Sequence, residues 1–124
     1  MMLCPCGSER PFGECCRPIL RGEARAETAE QLMRSRYTAN VRRDEGYLLA
    51  TWHRSTRPAR VDLMTEWRGL EVLSTERGRK GDPNGTVTFV AHYATGTVAI
   101  GTMRETSRFV FEDGMWLYVD GDVA

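Results

Sequence analysis

The residues best suited to hold a soft metal ion are crowded at the start of the chain. Cys4, Cys6, Cys15 and Cys16 are the only cysteines among the 124 residues. Their spacing is C-x-C, eight intervening residues, then C-C. Two local pairs joined by a tight loop can bring four thiolates to about 2.3 Å from one ion, as a tetrahedral zinc site requires. Pro5 stiffens the first pair, and Gly7 and Gly13 are expected to supply the backbone turns that aim both pairs at one point. The plainer readings are a disulfide or four free thiols. Adjacent Cys15 and Cys16 do not bridge each other easily, and a reducing compartment disfavours disulfides altogether. Four cysteines close the coordination shell, so the predicted Zn2+ is structural.

A second set of residues could do acid–base chemistry or line a ligand pocket. Alternation on a predicted strand puts Met103, Glu105, Ser107, Phe109 and Phe111 on one face, and the phenylalanines make that the core face. Glu105 then points inward and needs a cation or several donors, for which Arg34, Arg36 and His53 are the candidates. The functional reading pairs His53 with Glu105 as general acid and base. The structural reading makes the same groups an ion pair tying a helix to the sheet. A pocket around them would be lined by Arg36, Tyr37, Trp52, His53, Trp67, Tyr93, Glu105 and Ser107, although aromatics at these spacings are more often ordinary core. His92, on a strand face opposite Phe89, is explained by solvent exposure. Arg34, Arg36, Arg42 and Arg43 read as a solvated basic helix face.

These side chains must be positioned by two kinds of element. After a linker over Pro18 to Glu27, Thr28 and Gln31 form a T-x-x-Q capping box, and Leu32, Met33, Tyr37 and Val41 mark a helical stripe. That helix is predicted to run to about Arg43, and Asp44 caps a second from Glu45 to about Trp52. A helical turn is expected over Arg60 to Met64. From Trp67 onward the pattern alternates, giving strands over Trp67–Glu76, Val87–Thr95, Thr97–Glu112 and Met115–Asp120. The turns fall at Gly81-Asp82-Pro83-Asn84-Gly85, at Gly96 and at Asp113-Gly114. Helices followed by a meander predict an α+β fold, with the helices packed on a curved antiparallel sheet that encloses a cone.

Composition excludes several classes. Basic and acidic residues balance at 17 each, so the field of a general nucleic-acid binder is missing. No apolar run approaches the ~20 residues of a membrane span, and cysteines stand where a signal peptide would need an apolar stretch, so a cytoplasmic protein is expected. Neither G-x-G-x-x-G nor a P-loop nor G-x-S-x-G occurs, which disfavours nucleotide chemistry and a serine nucleophile.

Two resemblances add to this reading. The Cys-Pro-Cys-Gly-Ser start, Phe12 and the closing Cys-Cys pair resemble the SEC-C zinc motif, with Cys16 where many members have His. Nearly the whole chain resembles the YchJ-type bacterial proteins, an uncharacterised family. That likeness rests on the SEC-C start, Leu32-Met33-Arg34-Ser35-Arg36-Tyr37, Thr51-Trp52-His53, Trp67-Arg68-Gly69-Leu70, Glu105-Thr106-Ser107-Arg108-Phe109 and Gly114-Met115-Trp116-Leu117-Tyr118-Val119-Asp120-Gly121. It implies a SEC-C-like zinc motif over residues 1–20 and an NTF2-like (cystatin-like) domain over 21–124. The second SEC-C motif of some members is not found before Ala124. Because the motif in the SecA ATPase engages a chaperone, the resemblance implies protein contacts and an adaptor role. NTF2-like folds also host small-molecule enzymes, and their sheets often form homodimers, so ligand, partner and self-association are all expectations to carry to the structure.

Overall fold

A computed structural model describes residues 2–96 and 99–124. Its body is a four-stranded antiparallel meander, β1 (Glu66–Arg77), β2 (Asn84–Thr95), β3 (Ala99–Glu112) and β4 (Met115–Val123), in sheet order β1-β2-β3-β4. The helices α1 (Cys16–Leu20), α2 (Ala29–Val41) and α3 (Glu45–Ala50) precede it. The predicted α+β architecture therefore forms, with α2 touching β1, β2 and β4. No helix of the described residues is long and apolar enough to cross a membrane.

The helix signals work as read. Thr28 Oγ1 accepts from the Gln31 amide at 3.1 Å, and Gln31 Oε1 accepts from the Glu27 amide at 2.6 Å, so side chains satisfy one early donor of α2 and the amide just before its cap. The helix ends two residues before the expected Arg43. Arg43 turns left-handed (φ 58), and the Asp44 amide closes back on the Ala39 carbonyl at 2.8 Å. Asp44 then caps α3, accepting from the Tyr47 amide at 3.1 Å.

Three expectations need correction. Residues 16–20 form α1, so the linker starts later than Pro18; a proline in a first helical turn has no amide bond to lose. Arg60 to Met64 form no helix. That stretch is pinned from outside, by Glu45 accepting from the Val61 amide at 2.9 Å and by Arg43 donating to the Leu63 carbonyl. Asn84 and Gly85 belong to β2 rather than to the turn, because Gly85 sits flush against Gly78, where a Cβ would come within 2.3 Å of the Gly78 backbone. The expected first residue of the third strand, Thr97, lies outside the described residues.

One core runs through the molecule. Leu32, Met33, Tyr37, Leu70, Val87, Phe89, Ala91, Phe109 and Trp116 are buried together with Phe12, Cys4, Cys6 and Cys16. The sheet's inner face follows strand parity: Val87, Phe89 and Ala91 on β2, Ser107 and Phe109 on β3, Trp116 on β4. Phe111 shares the parity of Phe109 but is 46% exposed, since it lies near the hairpin end beyond the helices, stacked edge-on against Trp116.

Candidate metal centre and ligand cavity

The amino-terminal segment folds as a knuckle. Leu3 bridges Pro11, the Cys4 amide donates to the Arg10 carbonyl at 2.8 Å, and the Phe12 amide donates to the Met2 carbonyl at 2.9 Å. Gly7 makes its turn at φ 80 as expected; the second left-handed residue is Glu9 (φ 66), not Gly13. The result brings the four Sγ atoms to within 4.8 Å of one another, with no disulfide among them. A tetrahedron with metal–sulfur bonds of about 2.3 Å has edges of about 3.8 Å. The Cys6–Cys15 Sγ separation is 3.7 Å, so the donor set fits a metal ion.

The sulfurs are also oriented by hydroxyls from within the knuckle and from α2. Ser8 Oγ stands 3.2 Å from Cys15 Sγ, while Thr38 on α2 donates to Cys16 Sγ at 3.4 Å and lies 3.8 Å from Cys4 Sγ. Arg34, also on α2, donates to the Cys6 carbonyl at 2.7 Å and to Glu30 at 2.9 Å. With thiols alone, the hydrogen bond from Cys16 pulls Cys6 down to about 4, while burial pushes Cys15 up and the Cys6 interaction pushes Cys16 up. Cys6 is thus the readiest of these three to lose its proton, and a bound ion would displace the protons of its ligand thiols.

The second feature is a half-open cavity of about 220 Å³ between α2, α3 and the inner face of the sheet. Of the eight expected pocket residues, Arg36, Tyr37, Trp52, Trp67, Glu105 and Ser107 line it. Tyr93 does not. Its ring lies beyond Trp67, 5.9 Å centroid to centroid, and covers Gly101, whose missing side chain leaves the space it fills. His53 does not line it either, and its expected pairing with Glu105 is not formed. The backbone after α3 runs alongside β4, with Trp52 bridging Tyr118 and the His53 amide donating to the Tyr118 carbonyl at 2.8 Å. That delivers the imidazole to the far end of β3, where Nε2 meets Glu112 at 2.8 Å. Nδ1 accepts from the Ser55 amide at 3.1 Å, so the ring proton sits on Nε2 and is donated to Glu112. Arg54 completes this surface cluster, donating to Glu112 at 2.6 Å, and both partners hold the Glu112 carboxyl below its ordinary range.

Glu105 is half-buried and finds other donors. Ser107 Oγ donates to it at 2.5 Å and Tyr118 Oη at 3.3 Å, and Gly121 leaves the notch its carboxylate occupies, since a Cβ there would come within 2.3 Å of Oε2. Arg34 is spent on the knuckle. Arg36 is not part of a solvated face: it is 9% exposed, with its guanidinium 5.1 Å from the Trp52 ring and 4.6 Å from the Tyr118 ring. Its Nη1 donates to the Leu48 carbonyl at 2.8 Å and to Thr51 Oγ1 at 2.7 Å, capping the end of α3. Burial lowers the guanidinium to about 10, and burial with the nearby Glu105 charge raises the Tyr118 phenol to about 12. Arg42 keeps to the exposed face as expected, its guanidinium stacked 4.9 Å over the Phe12 ring. His92, half-buried, meets Glu71 at 2.9 Å instead of standing free in solvent.

Sequence reasoning missed Thr38 and Tyr118. Nothing in the sequence points a threonine on α2 at sulfurs from the knuckle. Tyr118 did carry a signal, because it shares the parity of Trp116 on β4.

A cysteine knuckle docked on the helix of an NTF2-like sheet defines a class of small two-part proteins, and similarity to known proteins agrees. A model of the SEC-C motif matches residues 3–18, and a model described as the YchJ middle NTF2-like domain matches residues 28–121. The chain is 49% identical to a UPF0225 protein of Streptomyces coelicolor, over 96% of this chain and 94% of that one. It is 46% identical to a UPF0225 protein of Xanthomonas oryzae, over 94% and 92% respectively. A SEC-C motif containing protein from Rhodopseudomonas palustris, solved in solution, superposes with a TM-score of 0.86 at 31% identity over 98% of both chains. A crystal structure of a SEC-C motif containing protein from Psychrobacter arcticus gives 0.81 at 26% identity, covering 100% of this chain and 84% of that one. The chain belongs to the YchJ family of UPF0225 proteins.

Proposed function

We propose that this protein binds a small molecule in the sheet cavity, and that one structural zinc ion in the knuckle holds the cavity's helical wall in place. The carrying observation is that α2 serves both regions. Thr38 and Arg34 face the knuckle, while Met33, Arg36, Tyr37 and Asn40 face the cavity. Zinc bound by four cysteines supplies a closed clamp with no open position for water. Cys4, Cys6 and Cys16 are each at most 5% exposed, in keeping with a structural centre. Binding rather than turnover is favoured because the imidazole that would act with Glu105 is engaged at Glu112.

Protein purified without added metal should contain about one zinc per chain by elemental analysis. Phenol, a neutral single ring, should perturb the methyl resonances of Met33 and Met103. Chelation should weaken that perturbation. Absence of zinc sinks the clamp, and silence of both methyls sinks the cavity.

An adaptor reading has an observation of its own. Met2 and Leu3 stand 62% and 57% exposed beside the knuckle, an apolar spot suited to a protein partner.

A further inference from the structure

The cavity walls carry two opposite charges that do not satisfy each other. Among the described residues Arg36 has no acidic partner within 4.0 Å, although Glu105 lies near enough to act on it through space. Only Nη1 of the guanidinium is used, on Leu48 and Thr51. No buried side-chain nitrogen or oxygen among the described residues lacks a partner, so Nε and Nη2, which have none, must reach accessible space. Arg36 lines the cavity, and the cavity is where that space lies. A buried cation with free donors calls for an anionic acceptor, and a planar guanidinium suits a carboxylate.

The opposite need arises at Glu105. Its carboxylate receives Ser107 and Tyr118 at Oε2, leaving Oε1 to accept another proton donor. Both needs are arranged around one ring, because Tyr118 carries the Arg36 guanidinium on its face, 4.6 Å from the centroid, and Glu105 at its hydroxyl, 3.3 Å away. The walls between are Met33, Tyr37, Trp67, Phe89, Met103 and Phe109, which favour an apolar ring. An apolar cavity of roughly 150 Å³ takes a benzene ring. One of about 220 Å³ takes that ring with a small group at each end.

Resting on the cavity reading above, we infer that the ligand is a monocyclic aromatic carboxylate with a hydrogen-bond donor at its far end, of the hydroxybenzoate or aminobenzoate class. The carboxylate sits at Arg36 and the donor at Glu105. An unsubstituted ring satisfies neither end, phenol satisfies only Glu105, and a dicarboxylate would set like charge against Glu105.

The test titrates the intact zinc-loaded protein with 4-hydroxybenzoate, benzoate and phenol, following the methyl resonances of Met33 and Met103. Affinity should fall about tenfold from 4-hydroxybenzoate to phenol, the loss of one charge-assisted bond set, and should also fall from 4-hydroxybenzoate to benzoate. Arg36→Lys keeps the charge but removes the fork, and should erase most of the preference for the acid over phenol. Glu105→Gln, which keeps the shape and so folds, should narrow the gap between 4-hydroxybenzoate and benzoate. Equal binding of phenol and 4-hydroxybenzoate overturns the ligand class while leaving the cavity reading intact. Failure of all three rings to shift either methyl overturns both.

Discussion

The knuckle and the cavity are built from opposite materials on the two sides of one helix. The knuckle takes its four sulfurs from thirteen consecutive residues, buries three of the four cysteines, and orients the sulfurs with short contacts to Ser8 and Thr38. The cavity collects its walls from α2, α3, the segment at Val61 and all four strands, and its cation, Arg36, has no acidic partner within 4.0 Å among the described residues. A local, closed, self-satisfied cluster is what a structural centre needs. A dispersed, half-open and electrically incomplete one is what a binding site needs, because unmet hydrogen-bonding capacity is what a ligand can answer.

Cys6→Ser should break this contrast most severely. It removes one of the four proposed ligands, the sulfur 3.7 Å from Cys15, and should weaken binding whose total is on the order of 10 kcal/mol for sites of this type. Amide exchange should show residues 2–16 losing protection while β2 and β3 keep theirs. Equal loss throughout would mean that the two regions form one cooperative unit. Thr38→Val keeps the shape of a fully buried residue but takes the hydroxyl away from two sulfurs. It should cost about 1–2 kcal/mol in denaturant unfolding and accelerate zinc release to a chelator. A change in stability with no change in zinc release would make Thr38 part of the core alone.

The smallest effect sharpens the cavity side. Tyr118 ionises near 12 in the folded chain, above its ordinary value of 10.0, because burial and Glu105 disfavour the phenolate. Its protonated form therefore stabilises the fold fully below pH 10, and the contribution is lost as pH rises from there through 12. The effect is on the order of 1 kcal/mol once solvent screening at this half-buried ring is allowed for. Tyrosinate absorbance should show a late step near pH 12 that disappears in Tyr118→Phe. Persistence of that step would place the late-ionising ring elsewhere.

How much of this was legible depends on how locally each feature is encoded. The sulfur cluster, the Thr28 and Asp44 caps and the meander all rest on residues close in sequence, and each could be read directly. Arg36 was misread because arginine is exposed by default; only the packing of α3, β4 and two aromatic rings around it makes it interior. The expected partnership of His53 with Glu105 failed on distance and direction. Glu105 and Glu112 stand about 23 Å apart at roughly 3.3 Å per residue along β3, on opposite faces by parity, and the chain after α3 leads to the second. Sequence shows that both an acid and a base exist. It does not show to which end of a long strand a loop will carry the base.

Gly7 has a consequence for handling the protein. Its backbone presses on the Leu70 carbonyl of β1, so closely that a Cβ would stand 2.8 Å from that oxygen. β1 is one of the two edge strands, and the knuckle touches it at Leu70. Loss of the proposed ion would loosen that contact at an edge other chains can pair with, so a chelator-treated preparation should first betray itself by sticking to its own copies, before the sheet itself melts.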